Sequence, residues 1–301
     1  MKILVTGSRG TLGKPLVKKL KENGHEVYGL DLAHCDDENY TRCDIAEYRQ
    51  IEWTIESVRP DLVYILSAEF GRRNGEEYYE QVWKTNVIGT RHILELQKVY
   101  KFKVIFASSS EIYGEMDNVI LSEDLYPAPQ KNDYAISKWV NELQCKNFRE
   151  RNGNEIMILR FFNAYGEGEL FNDYRSVVCL FCYKALHNMP YEVYENYHRV
   201  FMHISDFIPT LASASDKFVD GETVNIGGVE YRSVKDLSDI ILKTLGKDDS
   251  LVKYLPSDTH NVVNKRPDIS KAQRLLSHNP TVTLEEGVAK TIAWMKEVYG
   301  C

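Results

Sequence analysis

The sequence predicts an α/β protein organised around a doubly wound parallel sheet. Short runs rich in β-branched and aromatic residues alternate with longer helical patterns from residue 2 onward. Alternation of this kind is typical of βαβ units, in which right-handed helical crossovers join parallel strands. A length of 301 residues fits one large domain or two closely joined ones.

The first half of the chain contains most of the predicted strands. They are short apolar runs, and they occupy residues 2–6, 26–32, 61–66, 103–109 and 155–162. Long helical patterns separate these strands, and the main ones cover residues 11–24, 77–100 and 133–150.

The pattern changes after residue 165. Short strands such as "ETVNIGG" lie between predicted helices, which cover residues 174–188, 204–218, 234–246, 268–277 and 284–298. We therefore expect residues 1–165 to form the main domain and residues 166–301 to form mainly a smaller α/β part. A segment near 200–228 is expected to return to the main sheet.

The charge and hydropathy of the chain limit the partners that it can bind. The net charge is −7 and no basic block is present, which argues against nucleic acid and anionic membranes as partners. No apolar run approaches the length of a membrane span. An anionic ligand must therefore be held by a few placed arginines and backbone amides.

The cysteine pattern favours a reducing compartment. Six cysteines are scattered along the chain, and only Cys179 and Cys182 form a CxxC, inside a helical pattern with no second pair. A metal or redox role stays open, but burial as small apolar side chains is favoured, and no metal site is expected. No targeting region precedes the first predicted strand, so we expect a cytoplasmic protein.

A glycine-rich stretch after the first strand predicts a dinucleotide site. Gly7, Gly10 and Gly13 lie in "VTGSRGTLG", between a predicted strand and a predicted helix. Glycines allow the backbone to turn tightly and to approach a pyrophosphate, whose charge meets the free amides of the helix N-terminus. This context indicates a Rossmann-type sheet, and the smaller C-terminal part would then bind the substrate.

Acidic and small residues at the next strand ends refine the choice of cofactor. Asp31 ends the second strand, where a carboxylate accepts hydrogen bonds from ribose hydroxyls and repels a 2′-phosphate, so NAD is favoured over NADP. Asp44 follows the third strand and either meets the adenine amino group or caps a helix. The small residues of "LSA", 66–68, would let the cofactor lie close to the sheet.

A tyrosine and a lysine provide the predicted chemistry. Tyr134 and Lys138 are four residues apart in a helical pattern, so both face the same side. An adjacent ammonium, helped by a positively charged nicotinamide, favours the phenolate and brings its pKa toward neutrality. Such a tyrosine takes a proton from a sugar hydroxyl while hydride leaves the same carbon.

Together these motifs resemble those of the extended short-chain dehydrogenase/reductases that act on nucleotide sugars. The family includes epimerases, 4,6-dehydratases and decarboxylases. The resemblance covers essentially the whole chain, through "TGSRGTLG", "KTNVIGT", "SSSEIYG", "YAISK", "RFFNAYG", "RVFMHISD", "VNIGG" and "RPDISKA". The chain departs from the family pattern at two places. The histidine that is common before the small residues of strand four is missing, and "YGEGE" stands where a proline is frequent.

The resemblance implies a role for each matching position. Tyr134 is the base, Lys138 its partner and a ribose ligand, and Ser109 orients the substrate oxygen. The implied NAD-binding residues are Gly7, Arg9, Gly10, Thr11, Leu12, Gly13, Asp31, Asp44, Ile45, Leu66, Ser67, Ala68, Asn86, Tyr134, Lys138 and Phe161. The implied substrate-binding residues are Glu69, Ser109, Asn163, Arg175, Arg199 and Arg266.

Glu111, in "SSSEIYG", bears on the reaction type. In the 4,6-dehydratases that this stretch resembles, the carboxylate removes the C5 proton once C4 is a ketone, so dehydration is the favoured prediction. Ser110 stands where many dehydratases have an aspartate, and serine there also occurs in GDP-sugar dehydratases and in decarboxylases of UDP-glucuronate. A 4-epimerase needs no acid at this position. Decarboxylation of UDP-glucuronate and epimerisation at C4 stay as alternatives to dehydration. A keto-sugar reductase and a non-catalytic dinucleotide sensor are disfavoured.

The family resemblance also implies partners. The substrate would be a UDP-, dTDP- or GDP-linked sugar. Helices predicted over 84–100 and 133–150 match those that form a four-helix dimer interface in this family, so a homodimer is expected.

Overall fold

A seven-stranded parallel sheet forms the centre of the computed structural model, which describes residues 1–116, 120–256 and 262–301. The strand order is β3-β2-β1-β4-β5-β6-β11, so the predicted doubly wound sheet is confirmed. The strands are β1 (Lys2–Thr6), β2 (Glu26–Asp31), β3 (Tyr40–Arg42), β4 (Leu62–Ile65), β5 (Lys103–Ser109), β6 (Ile156–Phe161) and β11 (Thr223–Ile226).

Helices cover both faces of this sheet, which explains why its strands are apolar throughout. One face packs on α1 (Gly13–Glu22), α8 (Ile204–Asp216) and α10 (Ser270–Leu276). The other face packs on α2 (Tyr48–Val58), α5 (Thr90–Tyr100) and α6 (Asp133–Asn152). Two buried apolar layers therefore fix the sheet, and with it the edge at which the parallel strands end.

The long helix predicted over 77–100 is interrupted at Tyr78 and widens into a π-helix after Val82. The chain instead forms α3 (Arg72–Glu77), α4 (Tyr79–Val82) and a π-helix (Trp83–Gly89) before α5. Tyr78 leaves the helical region with φ −128° and ψ 49°, which separates α3 from α4. Wider turns of this kind are frequent at functional sites, and here the π-helix carries the buried side chain of Asn86.

The last third of the chain builds a second core. It is formed by α7 (Val177–Leu186), α9 (Val234–Leu245) and α11 (Leu284–Tyr299), with two-stranded and three-stranded sheets beside them. The small strands are β7 (Ala164–Tyr165), β8 (Tyr191–Tyr194), β9 (His198–Val200), β10 (Met202–His203), β12 (Tyr231–Ser233), β13 (Val252–Leu255) and β14 (Asn264–Lys265). β11 pairs in parallel with β6 of the main sheet. The boundary at residue 165 stays a prediction, as does the homodimer.

Two further predictions concern the buried cysteines and membrane-spanning helices. Cys179 and Cys182 lie inside α7 with exposed fractions of 1% and 0%, and burial raises the pKa of both thiols, as expected for packing residues. Within the described ranges, no helix combines the length and apolarity that crossing a membrane requires.

Gly287, in α11, gives a test of the packing within the second core. A Cβ there would clash with the hydroxyl of the buried Tyr165 and lie 2.9 Å from its Cζ and 3.1 Å from His203 Cδ2. Helix propensity alone favours alanine by about 1 kcal/mol. Because overpacking costs about 1–3 kcal/mol, we expect Gly287→Ala to lower the free energy of unfolding, measured with urea.

The matched control is Ala289→Gly, on the exposed side of the same helix. It should lower the free energy of unfolding by about 1 kcal/mol through propensity alone. A stabilised Gly287→Ala protein would contradict the packing described here.

Candidate active site

A cavity of about 520 Å³ opens at the carboxyl ends of the central strands. Strand order reverses between β1 and β4, and this is where open α/β sheets bind ligands. Nineteen of the residues predicted from the sequence line it: Gly7, Arg9, Gly10, Thr11, Leu12, Gly13, Asp31, Asp44, Ile45, Leu66, Ser67, Ala68, Glu69, Ser109, Tyr134, Lys138, Phe161, Asn163 and Arg175. The cavity therefore unites the predicted cofactor and catalytic segments.

The glycine loop between β1 and α1 forms one wall of the cavity. Gly7 has a φ of +69°, and a Cβ there would lie 2.9 Å from the backbone nitrogen of Ser67. A Cβ on Gly13 would lie 2.8 Å from Ser8 Cα, so the helix start packs directly on the loop. The loop is closed by a 3.1 Å bond from Gly10 N to Gly7 O. This cradle fits a pyrophosphate at the N-terminus of α1.

Asp31 lies at the end of β2, where the adenosine ribose is expected. One carboxylate oxygen accepts from Arg9 N at 2.9 Å and the other from Leu32 N at 2.8 Å. Backbone amides therefore hold the ionised carboxylate toward the cavity, which fits NAD. Asp44 also lines the cavity and accepts from Ala46 N at 2.9 Å. It is not a helix N-cap, because α2 begins after Glu47.

Asn86 does not line the cavity but holds one of its walls. Its Oδ1 accepts from Glu69 N at 2.9 Å, and its Nδ2 donates to Glu69 O at 2.9 Å and to Ser137 Oγ at 3.0 Å. Asn86 thus ties the backbone after β4 to helix α6. The predicted cofactor role of Asn86 remains a prediction, and its contacts in this structure are positional.

Lys138 is buried at the base of the site, with an exposed fraction of 4%. Its ammonium donates to Ala107 O at 2.7 Å and lies 5.9 Å from the centre of the Tyr134 ring. Burial lowers the pKa of Lys138 to about 8, because the charged form loses hydration. The helix places both side chains on one face, as their spacing predicted.

The pKa of Tyr134 moves in the opposite direction from the predicted one. Burial raises it, the hydrogen bond with Ser109 acts to lower it, and the charge of Glu111 raises it further. Lys138 alone does not reverse the effect of burial. Formation of the Tyr134 phenolate therefore depends on the positively charged nicotinamide of bound NAD, which the sequence analysis named beside the Lys138 ammonium.

Glu111 lies in a 3₁₀ turn (Ser110–Tyr113) directly after β5, and its backbone nitrogen donates to Ser109 Oγ at 3.2 Å. Its carboxylate forms an ion pair with Lys265 and accepts from Asn132 Nδ2 at 3.4 Å. Burial acts to raise the pKa of Glu111, but these partners outweigh it and hold the pKa below its ordinary value. Ser110 is buried beside it and does not line the cavity.

Lys265 is the main residue that sequence reasoning missed. Its exposed fraction is 2%, and burial holds its pKa below the ordinary value although Glu111 acts to raise it. Lys265 directly precedes Arg266 in the "RPDISKA" motif, which was the available signal. Pairing of β14 with β9 places it opposite Arg199. Like Glu111, Lys265 lies behind the lining of the cavity and is not part of it. The cavity-lining residues absent from the prediction are Leu32, Ala33, Cys43, Phe70, Thr85, Ala107, Ser108, Ala164 and Glu169.

The predicted substrate residues divide into two groups. Asn163 and Arg175 line the cavity, with Asn163 Nδ2 donating to Val200 O at 2.9 Å and Arg175 lying 5.1 Å from the centre of the Phe70 ring. Arg199 and Arg266 do not line it. Arg199 is buried and donates to three backbone carbonyls, those of His198, Val262 and Val263.

Arg266 is exposed, and its guanidinium lies 5.8 Å from the centre of the Tyr231 ring. Nucleotide binding by Arg199 and Arg266 therefore stays a prediction that their positions do not support. What Arg199 does contribute is charge, because it helps to lower the pKa of Glu111.

The lowered pKa of Lys138 predicts a stability change with pH. Between pH about 8 and its ordinary value of 10.5, the unfolded chain binds more protons at this site than the folded chain does. Stability therefore rises with pH in that window. In NAD-free protein, the free energy of unfolding should rise more steeply there than in Lys138→Met, by urea titration. Equal slopes in the two proteins would contradict a buried, deprotonating Lys138.

The position of Asp31 predicts cofactor choice. Asp31→Ala removes the charge that repels a 2′-phosphate, so the ratio of NADP to NAD dissociation constants should fall by roughly 10-fold or more. Fluorescence titration with both cofactors measures the ratio. Asp36→Ala is the control, because this nearby side chain is 95% exposed. Equal affinity of the unaltered protein for both cofactors would refute the assignment.

Comparisons with known proteins agree with this geometry. The chain matches the model of the NAD dependent epimerase/dehydratase family over residues 3–227. The UDP-N-acetyl-alpha-D-glucosaminuronate decarboxylase of Bacillus cytotoxicus is 29% identical, and the match covers 98% of each chain. UDP-glucuronic acid decarboxylase 1 of Danio rerio is 31% identical over 97% of this chain and 72% of the relative.

Solved structures share the whole fold. The UDP-glucose 4-epimerase of Thermotoga maritima, with UDP-glucose, has a TM-score of 0.91 and 28% identity, covering 99% of this chain and 100% of that one. The UDP-glucuronic acid 4-epimerase of Bacillus cereus, in complex with UDP-glucuronic acid and NAD, has a TM-score of 0.90, 28% identity and the same coverage. This chain therefore belongs to the NAD-dependent epimerase/dehydratase family and is an NAD-dependent enzyme.

Proposed function

We propose that this enzyme oxidises C4 of a UDP-linked hexuronate and then removes C6 as carbon dioxide. The observation that carries the proposal is the buried ion pair between Glu111 and Lys265, directly behind Ser109. Ser109 and Tyr134 would hold the C4 oxygen, so the C5 substituent of the sugar falls within reach of this pair. A cation at that point suits a C6 carboxylate better than a C6 hydroxyl.

The buried cations around Glu111 support an acidic sugar. Lys265 and Arg199 are both buried, and both act to lower the pKa of Glu111. These two positive charges would attract a substrate carboxylate, and they would have no such attraction for an uncharged C6 hydroxyl.

The chain's residues divide the reaction into steps. Tyr134 accepts the proton of the C4 hydroxyl, and Ser109 donates a hydrogen bond to the same oxygen. Bound NAD supplies the hydride acceptor and the source of its return. The C4 ketone lies β to the carboxylate, so the C5–C6 bond breaks with its electron pair passing into the ketone. Lys265 then donates a proton to C5, Tyr134 returns its proton to O4, and solvent reprotonates Lys265.

Glu111 has a supporting role in this scheme. Its lowered pKa keeps it ionised, so it holds the Lys265 ammonium in place next to C5. The same property makes it a weak base for removing a C5 proton, as 4,6-dehydration would require. Dehydration, the activity favoured by the sequence, is therefore the second candidate. Its support is the position of Glu111 beside Ser109. Epimerisation at C4 gives neither Glu111 nor Lys265 a chemical role.

The names of the relatives agree with an acidic sugar. The two curated relatives compared above are described as decarboxylases of UDP-linked uronic acids, and the Bacillus cereus neighbour is described in complex with UDP-glucuronic acid and NAD. The neighbour named a UDP-glucose 4-epimerase leaves the neutral-sugar alternative open to test.

The test separates the outcomes by product mass. Purified enzyme with NAD is incubated with UDP-glucuronate, UDP-N-acetylglucosaminuronate, UDP-glucose, dTDP-glucose or GDP-mannose, and products are resolved by mass spectrometry and NMR. We expect loss of carbon dioxide from a UDP-uronate. Loss of water would establish dehydration, and an unchanged mass with inversion at C4 would establish epimerisation. Either result, or no reaction with any uronate, overturns the proposal.

Variants then assign the steps. Lys265→Met should still form NADH from the uronate, while product formation falls by roughly 100-fold or more, as for loss of a proton donor. Glu111→Gln keeps the size and shape of the side chain. It should also still form NADH while product formation falls, but by a smaller factor than in Lys265→Met. Tyr134→Phe should form no NADH. Lys253→Met is the control, because that side chain is 68% exposed and far from the cavity. Normal turnover by Lys265→Met would remove Lys265 from the mechanism.

A further inference from the structure

A buried carboxylate lies beneath the catalytic residues and takes no part in the chemistry described so far. Glu142 follows Tyr134 and Lys138 at helical spacing on α6, and its exposed fraction is 0%. It is not among the residues lining the cavity. Its contacts nevertheless reach the end of β5 and, through Arg160, the turn that carries Glu111.

The first contact joins α6 to the end of β5. Ser108 Oγ donates to Glu142 Oε1 at 2.6 Å, and Ser108 directly precedes Ser109. One residue earlier, Ala107 O accepts from Lys138 Nζ at 2.7 Å. Two successive residues of β5 are therefore bonded to two successive turns of α6. These bonds set the separation between Ser109 and the Tyr134–Lys138 pair.

The second contact runs through a fully buried guanidinium. Arg160, on β6, donates from Nε to Glu142 Oε1 at 2.9 Å and from Nη2 to Glu142 Oε2 at 2.8 Å. Its Nη1 donates to Tyr113 Oη at 2.7 Å, and Tyr113 in turn donates to Asn225 Oδ1 on β11 at 2.8 Å. Tyr113 ends the 3₁₀ turn that carries Glu111. The network therefore fixes that turn as well.

We propose that Glu142 is a positioning residue, which sets Ser109 against Tyr134 and Lys138 and, through Arg160 and Tyr113, fixes the place of Glu111. Stability alone is a poor reason for this network, because a buried ion pair is often no more stabilising than apolar side chains of equal volume. A forked, bidentate pair does fix distance and orientation. Catalysis needs a fixed distance and orientation, since a displacement of about 1 Å can cost roughly 100-fold in rate.

The test removes single hydroxyl groups and leaves the buried ion pair intact. Ser108→Ala deletes the bond from β5 to Glu142. Tyr113→Phe deletes both bonds of the Tyr113 hydroxyl, the one from Arg160 and the one to Asn225. Removing Glu142 itself would leave Arg160 uncompensated in the interior and destabilise the fold. The matched control is Ser215→Ala, a buried serine on α8 whose hydroxyl donates to Ala212 O and which lies outside the cavity.

The kinetic arm uses the enzyme with NAD and its uronate substrate. Ser108→Ala should lower the rate of NADH formation by roughly 10-fold while KM changes by less than about 3-fold. Ser108 lines the cavity, but its hydroxyl is bonded to Glu142 inside the fold. Tyr113→Phe should slow product formation more than NADH formation, since it shifts the Glu111 turn. Ser215→Ala should match the unaltered enzyme. An unchanged kcat in both variants, or a KM effect alone, overturns the inference.

The second arm separates this inference from the proposed function, on which it rests for oxidation at C4. Hydrogen exchange is measured on the NAD-bound enzyme without substrate. Ser108→Ala should raise exchange in peptides covering 105–116 and 134–142, and Ser215→Ala should not. If no uronate reacts but this pattern is seen, the proposed function fails and the positioning role stands. Exchange equal to that of the unaltered enzyme overturns the positioning role.

Discussion

The contact between helix α6 and the end of strand β5 places a lysine ammonium in the protein interior. Lys138 gives up most of its hydration there and receives one carbonyl, that of Ala107, as a partner. Burial lowers the pKa of Lys138 to about 8, so the ammonium form loses its proton more easily than that of an exposed lysine. Any change that loosens α6 from β5 would let water reach Lys138 and would also move Tyr134, because both are on the same helix face.

Three buried cations lie in or near the site of a protein that is acidic as a whole. The net charge of −7 gives no general attraction for a nucleotide. Inside the fold, Lys138, Lys265 and Arg199 are buried, and the glycine loop presents backbone amides at the start of α1. The low dielectric of these positions makes a few charges act strongly over short distances. Recognition of an anionic ligand is therefore local, and dilute salt should affect it little.

The local sequence was sufficient to predict those parts of the site whose residues lie close together in the chain. The strand, glycine turn and helix around Gly7 and Gly13, and the acid at Asp31, are each read within one βαβ unit, so their place in the cavity was predictable. Tyr134 and Lys138 share one helix, and their common face follows from its period. The break at Tyr78 and the π-helix after it were missed, because apolar spacing there resembles that of a continuous helix.

Longer-range features were not predictable from the same patterns. Lys265 meets Glu111 across 154 residues of sequence, and its short strand pairs with β9, which periodicity does not reveal. The direction of the pKa of Tyr134 depends on burial by segments from several parts of the chain, which no spacing encodes. Arg199 lies in a motif that the family shares, yet its donors are used by backbone carbonyls around it.

The distance along the chain between Glu111 and Lys265 has a consequence for the order of folding. Contacts of such high sequence separation form late, because closing the loop costs entropy before the contact returns any stability. The glycine loop and Asp31 depend on strands near the N-terminus and are complete much earlier. A partly folded chain can therefore present a cradle for a dinucleotide before the ion pair between Glu111 and Lys265 has formed. Chemical competence would be the last property this enzyme acquires, and a chain that stalls before β14 docks would hold NAD without reacting.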